Sequence, residues 1–205
     1  MEKLAHLPAD KQKQITDGAL LSFSTNGYKK ASVSDIAAAA GISKAMVFHY
    51  FGTKKELYLD LMQFCSDIVV EAVQEKFDPD ITDFFERIRM ASAIKLAVLA
   101  RHRAILSFLS SMFFEQDPEV EPEIKAFIAS SEGLRNQMAL EGMDVSKFKE
   151  GVDPQTVMKI LVRYSEGIVS EQPNSAAIDP EAIVREFDEV MELLRNHFYK
   201  EEYLH

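Results

Sequence analysis

Apolar residues recur along this chain at three- and four-residue spacing, and no sustained alternation marks a strand. Ile15, Ala19, Leu20 and Phe23 form one face of a first helix. The segment Thr25-Asn26-Gly27-Tyr28 ends it, with Gly27 suited to a left-handed C-cap. Ser32, followed three positions on by Asp35, is a variant of the capping box and opens a short second helix that stops at Gly41. Gly41-Ile42-Ser43 then makes a three-residue turn into a third short helix, "KAMVFHYF", from Lys44 to Phe51. Thr53 is the N-cap predicted for a long fourth helix over 54–76.

The fourth helix carries two adjacent apolar stripes. Leu57, Leu61, Phe64, Ile68 and Ala72 make one, and Tyr58, Met62, Cys65, Val69 and Val73 the other. So wide a face suits a helix packed from more than one side. Further helical runs are expected near 81–100, 102–115, 123–141, 154–170 and 180–200. The last two share an opening, Asp153-Pro154 and Asp179-Pro180, with aspartate as N-cap and proline in the first turn. The pattern predicts an all-α fold of about nine helices. An N-terminal three-helix unit, 1–53, precedes a helical body, 54–205, whose segment 54–76 links the two.

Charge sharpens this division. The chain has a net charge of −10, which argues against indiscriminate coating of nucleic acid. Residues 1–60 nevertheless hold 8 basic against 6 acidic side chains, and the remainder 15 against 27. A near-neutral to basic head on an acidic body can mark a module that faces nucleic acid. The single cysteine, Cys65, excludes an intrachain disulfide. With no apolar run of membrane-spanning length and no signal-peptide core at the start, a cytosolic protein is expected.

Two short helices joined by a glycine turn are the helix-turn-helix pattern, whose second helix enters the major groove of DNA. On that reading Lys44 reaches phosphates or guanine acceptors, Ala45 permits close approach, Met46 contacts a thymine methyl, and His49 bonds a phosphate or base. Val47, Phe51 and Tyr50 turn back towards the first two helices. Lys54 and the N-terminus of its helix both suit a phosphate. Spacing alone leaves a second reading open, in which these are ordinary surface residues.

These residues resemble the N-terminal pattern of the TetR family of bacterial transcriptional regulators. The matching positions are Ile15, Ala19, Phe23, Gly27-Tyr28, Ala31-Ser32, Ile36-Ala37, Ala40-Gly41-Ile42-Ser43, "KAMVFHYF", Lys54 and Glu56-Leu57. They run without a gap. The resemblance implies double-stranded operator DNA as partner, with Ser32, Ser43, Lys44, Ala45, Met46, Phe48, His49 and Lys54 at the interface. There are departures. Ala45, Met46 and Phe48 stand where the family often has Gly, Thr and Tyr, and Phe48 lacks the hydroxyl that commonly touches a phosphate. Ala31 replaces the first Thr of a pair, and Gly52 a frequent Lys.

The same resemblance implies that the body binds a small-molecule effector and builds a homodimer through its last two helices. The dimer would read two half-sites of a palindrome, usually as a repressor. Ile160, Tyr164, Gly167, Phe187, Met191 and Leu194 are the interface candidates, although their stripes equally suit intrachain core. Phe64, Ile68, Phe84, Phe85, Phe108, Met112 and Phe127 are candidates for an adaptable pocket, or again for core. Arg87, Arg89, Lys95, Arg101 and Arg103 form a run without an acid. It suits either an anionic head group or a solvated face.

Enzymatic signatures are lacking. "GISKA" falls short of a nucleophile elbow and follows a helical alanine run, not a strand. No phosphate loop or H-E-x-x-H occurs, and one cysteine excludes a Cys₂ metal site. The alternating acids of Glu115 to Glu123 lack the glycine of a calcium loop and read as a solvated linker. No catalysis, cofactor or metal is expected. The rival to DNA binding is a helical small-molecule, lipid or protein-docking module.

Overall fold

The computed structural model describes residues 4, 6–170 and 180–204. Among them the chain forms nine α-helices: α1 (Ala9–Lys30), α2 (Val33–Ala39), α3 (Lys44–Phe51), α4 (Lys54–Lys76), α5 (Phe84–Arg101), α6 (Arg103–Met112), α7 (Glu121–Leu140), α8 (Pro154–Ser170) and α9 (Pro180–Phe198). Asp179, the expected cap of α9, lies outside the described residues. None of these helices is long and apolar enough to cross a membrane.

Helix ends follow the predicted local chemistry. The Ser32 hydroxyl accepts from Asp35 N–H at 3.0 Å and the Ser43 hydroxyl from Met46 N–H at 3.2 Å. Thr53 and Glu56 cap reciprocally: Thr53 Oγ1 accepts from Glu56 N–H at 3.1 Å, and Glu56 Oε2 from Thr53 N–H at 2.7 Å. Asp153 accepts from Gln155 and Thr156 at the start of α8. Within α1 the helical path breaks at Gly27, whose φ is +69°.

Packing divides the chain into two compact units, 1–71 with 98–127, and 72–97 with 128–205. The boundaries fall inside α4, α5 and α7. They therefore differ from the sequence division at 53/54, which separates local motifs and not packed cores.

In the first unit α1 packs against α2 and α6, and α2 against α3. Ile15, Ala19, Leu20 and Phe23 are all buried, as are Leu57, Tyr58, Leu61, Met62 and Cys65 of α4. Phe23, Tyr28, Tyr58 and Phe108 form an aromatic cluster with edge-to-face contacts such as Phe23–Tyr58 at 5.0 Å. Burial pushes the Cys65 thiol up to about 12, so this cysteine is an inert core side chain.

In the second unit Phe84, Phe85, Phe148 and Tyr199 form the corresponding cluster, surrounded by Val157, Met158, Leu161 and Met191. A short antiparallel pairing not foreseen from the sequence closes it. Lys149 N–H donates to Phe198 carbonyl at 2.8 Å, and Lys200 N–H to Lys147 carbonyl at 2.9 Å.

Candidate nucleic-acid interface

The three-residue turn between α2 and α3 works because Gly41 takes φ +62°, a region that side chains rarely enter. α2 in turn lies tightly on α1. A Cβ added at Gly18 would stand 2.7 Å from the Ala39 and Ala40 backbone, so only glycine permits this approach. Gly18 is a positioning residue that the periodicity did not single out, although a glycine inside a helix is a visible signal. Lys11 adds a bond from α1 to the Gly41 carbonyl at 3.0 Å.

On this frame α3 has two faces. Val47 and Phe51 are buried, and Tyr50 is partly so. Lys44, Ala45, Met46, Phe48 and His49 are exposed on the other side. Met46 and Phe48 keep 37% and 45% of their surface in water, unusual for large apolar side chains unless the face meets something. The Lys44 ammonium stands 6.0 Å from the Phe48 ring centre, and the His49 and Tyr50 rings are 5.4 Å apart. Phe48 brings an apolar edge where a phosphate-binding hydroxyl is common. Ser32 and Ser43 are half-buried and exposed, respectively, at helix starts, their oxygens already accepting the capping bonds.

Lys54 is engaged within the head. Its ammonium donates to the carbonyls of Tyr28 at 2.9 Å and Ala31 at 3.2 Å and sits 4.4 Å from the Tyr28 ring centre. It closes the carbonyl end of α1. The same junction is held from another side by Glu115, whose Oε2 accepts from Tyr28 N–H at 2.6 Å. Glu115 Oε1 also accepts from Asp117 N–H at 2.9 Å. This acid is thus part of the tertiary structure and not a solvated linker. Among the described residues no group of His, Cys, Asp or Glu could hold a metal ion.

Four pocket candidates lie in the core: Phe84, Phe85 and Phe108 are fully buried and Met112 is 2% exposed. Phe64, Ile68 and Phe127 remain only partly buried. Of the dimer candidates, Met191 is core at 1% exposure, and Phe187 and Leu194 pack partly against that core. Ile160 is exposed, Tyr164 donates its hydroxyl to Glu186 at 2.8 Å, and among the described residues no atom lies within 4 Å of a Cβ placed at Gly167. Leu193, 56% exposed, belongs with this face and was not among the candidates. Its heptad-like offset from Glu186 and Glu189 masked it.

An exposed α3 on a buried α1–α2 platform defines the class: an all-helical helix-turn-helix protein. Residues 15–61 match the family model described as bacterial regulatory proteins, tetR family. Over that segment the chain is similar to the TetR family. It is 30% identical over 127 residues to the HTH-type transcriptional activator FasR of Mycolicibacterium smegmatis, covering 58% of this chain and 53% of that one. To the HTH-type transcriptional repressor AcnR of Corynebacterium glutamicum it is 34% identical over 68 residues, 33% of this chain and 36% of that one. The chain therefore spans about half or less of these curated relatives. A TetR family regulator from Chloroflexus aurantiacus, 19% identical, shares the fold over 98% of both chains with a TM-score of 0.73.

Proposed function

We propose that this chain is a sequence-specific DNA-binding transcriptional regulator, working in the cytoplasm as a homodimer on a palindromic operator and released by a small molecule. The observation that carries the reading is the exposed α3 face of Lys44, Ala45, Met46, Phe48 and His49 above buried Val47 and Phe51. In this reading 1–53 contacts DNA and 54–205 senses the effector and dimerises. Ser32, Ser43 and Lys44 serve the backbone, while Ala45, Met46 and His49 meet base edges. Repression is the direction proposed, the two relatives above being named an activator and a repressor. Regulation, and not catalysis, is its role.

A dimer through α8 and α9 is supported by the exposed apolar side chains Ile160 and Leu193 and by the open space over Gly167. Two recognition helices then need half-sites about one helical turn apart, ~34 Å. Phe64, Ile68 and Phe127 are the effector-facing candidates that keep accessible surface. The switch runs through α4, since Lys54 at its start holds the α1 end that positions α2 and α3.

The test is selection of bound duplexes from random DNA, followed by titration at several salt concentrations. A palindromic consensus whose affinity falls steeply with salt is expected. Recovery of no enriched sequence would return the chain to the class of helical ligand-binding modules.

A further inference from the structure

The exposed face of α3 is poor in hydrogen-bonding groups. Of its five side chains, Ala45 and Phe48 carry none, and Met46 has only a weak thioether acceptor. Side-chain hydrogen bonds from this face to base edges therefore fall to Lys44 and His49. Met46 and Phe48 each keep more than a third of their surface in water, while the core takes Val47 and Phe51 from the same helix.

The helical register spreads these groups across the face. At about 100° per residue, Ala45 and His49 point furthest from buried Val47 and Phe51, with Phe48 on one flank and Met46 on the other. Lys44 shares the Phe48 flank one turn earlier, and its ammonium stands 6.0 Å from the ring centre. Lys44 thus supplies the cation that this flank offers a phosphate. The ring beside it is left to face something apolar.

The major groove has few apolar groups to offer. Guanine presents N7 and O6 there, adenine N7 and an amino group, and cytosine an amino group. An apolar side chain pressed onto any of these strips water from a donor or acceptor and returns no bond. Thymine differs, because its C5-methyl stands out beside O4 and gains from apolar contact.

We infer that Phe48 and Met46 are specificity-determining residues, each reading the methyl group of one thymine in the operator half-site. The inference deepens the DNA-binding reading and rests on it. Phe48 acts as a base reader and takes no part in holding the phosphate backbone. Selection by the two flanks is for a carbon at the 5 position of a pyrimidine, and selection by hydrogen bonds is left to the residues between and beside them.

The experiment uses the full chain and the duplex enriched from random DNA. Thymines are replaced one position at a time by deoxyuridine, which keeps its pairing and loses only the methyl group, and affinity is read by fluorescence anisotropy. At two positions of the half-site, replacement should weaken binding about fourfold, the burial of one methyl group, and about 15-fold when made in both half-sites. Phe48→Ala should erase the deoxyuridine effect at one of these positions and Met46→Ala at the other. Both side chains are exposed, so both variants should keep the parent melting temperature. Tolerance of deoxyuridine at every position of a duplex that is still bound selectively overturns the inference and leaves the DNA-binding reading standing. A methyl effect that persists unchanged in both alanine variants overturns it too. Failure to enrich any duplex brings down the DNA-binding reading and this inference with it.

Discussion

Each unit of the molecule closes a chain break with one cation, and the two solutions differ instructively. In the first, the Lys54 ammonium caps the carbonyls of Tyr28 and Ala31 and rests on the Tyr28 ring. In the second, the Arg87 guanidinium caps Met138, Pro79 and Ile81 and stands 4.9 Å from the Phe77 ring centre. Arg87 is 3% exposed. Lys54 is half-buried at the edge of the head, a flexible stem ending in a point charge. The rigid fork sits in a buried core, and the flexible ammonium where α1 hands over to α2.

The comparison breaks most visibly at Arg87. Arg87→Met should destabilise the second unit by about 3 kcal/mol, since three carbonyls lose a charged donor together and a buried cation is removed from its hydrogen-bond partners among the described residues. Chemical denaturation monitored through that unit measures it, and a loss near that of Lys54→Met would make the two caps equivalent. Gly167→Leu probes the same unit without touching its core. A folded monomer is expected, because among the described residues no atom lies within 4 Å of that Cβ, and its melting temperature should no longer depend on protein concentration. Sedimentation that still shows a dimer would move the interface away from α8.

In the first unit, Gly18→Ala should cost about 1–3 kcal/mol by driving α2 off α1, an overpacking effect readable as a lowered melting temperature of the head. Lys54→Met should cost less, about 1 kcal/mol, and weaken binding to all DNA alike with an unchanged salt slope. Lys44→Ala should instead lower the log–log slope by about 2 for a dimer losing one phosphate contact per subunit. Identical slopes in the two variants would mean that exposure on α3 does not separate DNA contacts from scaffold.

Much of the head was legible because its signals are local. Ser32 with Asp35, Gly41, Ser43 and Thr53 set helix starts and the turn within a few residues, and the four-residue spacing of Val47 and Phe51 set the inward face of α3. The body was less legible. Phe84, Phe85 and Phe108 look the same in sequence whether they line a cavity or fill a core. Met191 and Leu193 differ by two positions and by an exposure of 1% against 56%. Stripe membership could not separate them, because a wide apolar face says that a helix is packed on and not by which neighbour.

Periodicity and capping chemistry thus determined the helices, their order, the turn and the exposed edge of α3, all within reach of a few neighbouring residues. The tertiary structure alone decided the fate of the charges. Whether Lys54, Arg87 or Glu115 faces water, a carbonyl or a backbone N–H depends on residues between 6 and 87 positions away, as in the Arg87–Ile81 and Tyr28–Glu115 bonds. A charged side chain has no periodic signature for its partner; desolvation and hydrogen bonding assign it only when the helices have met.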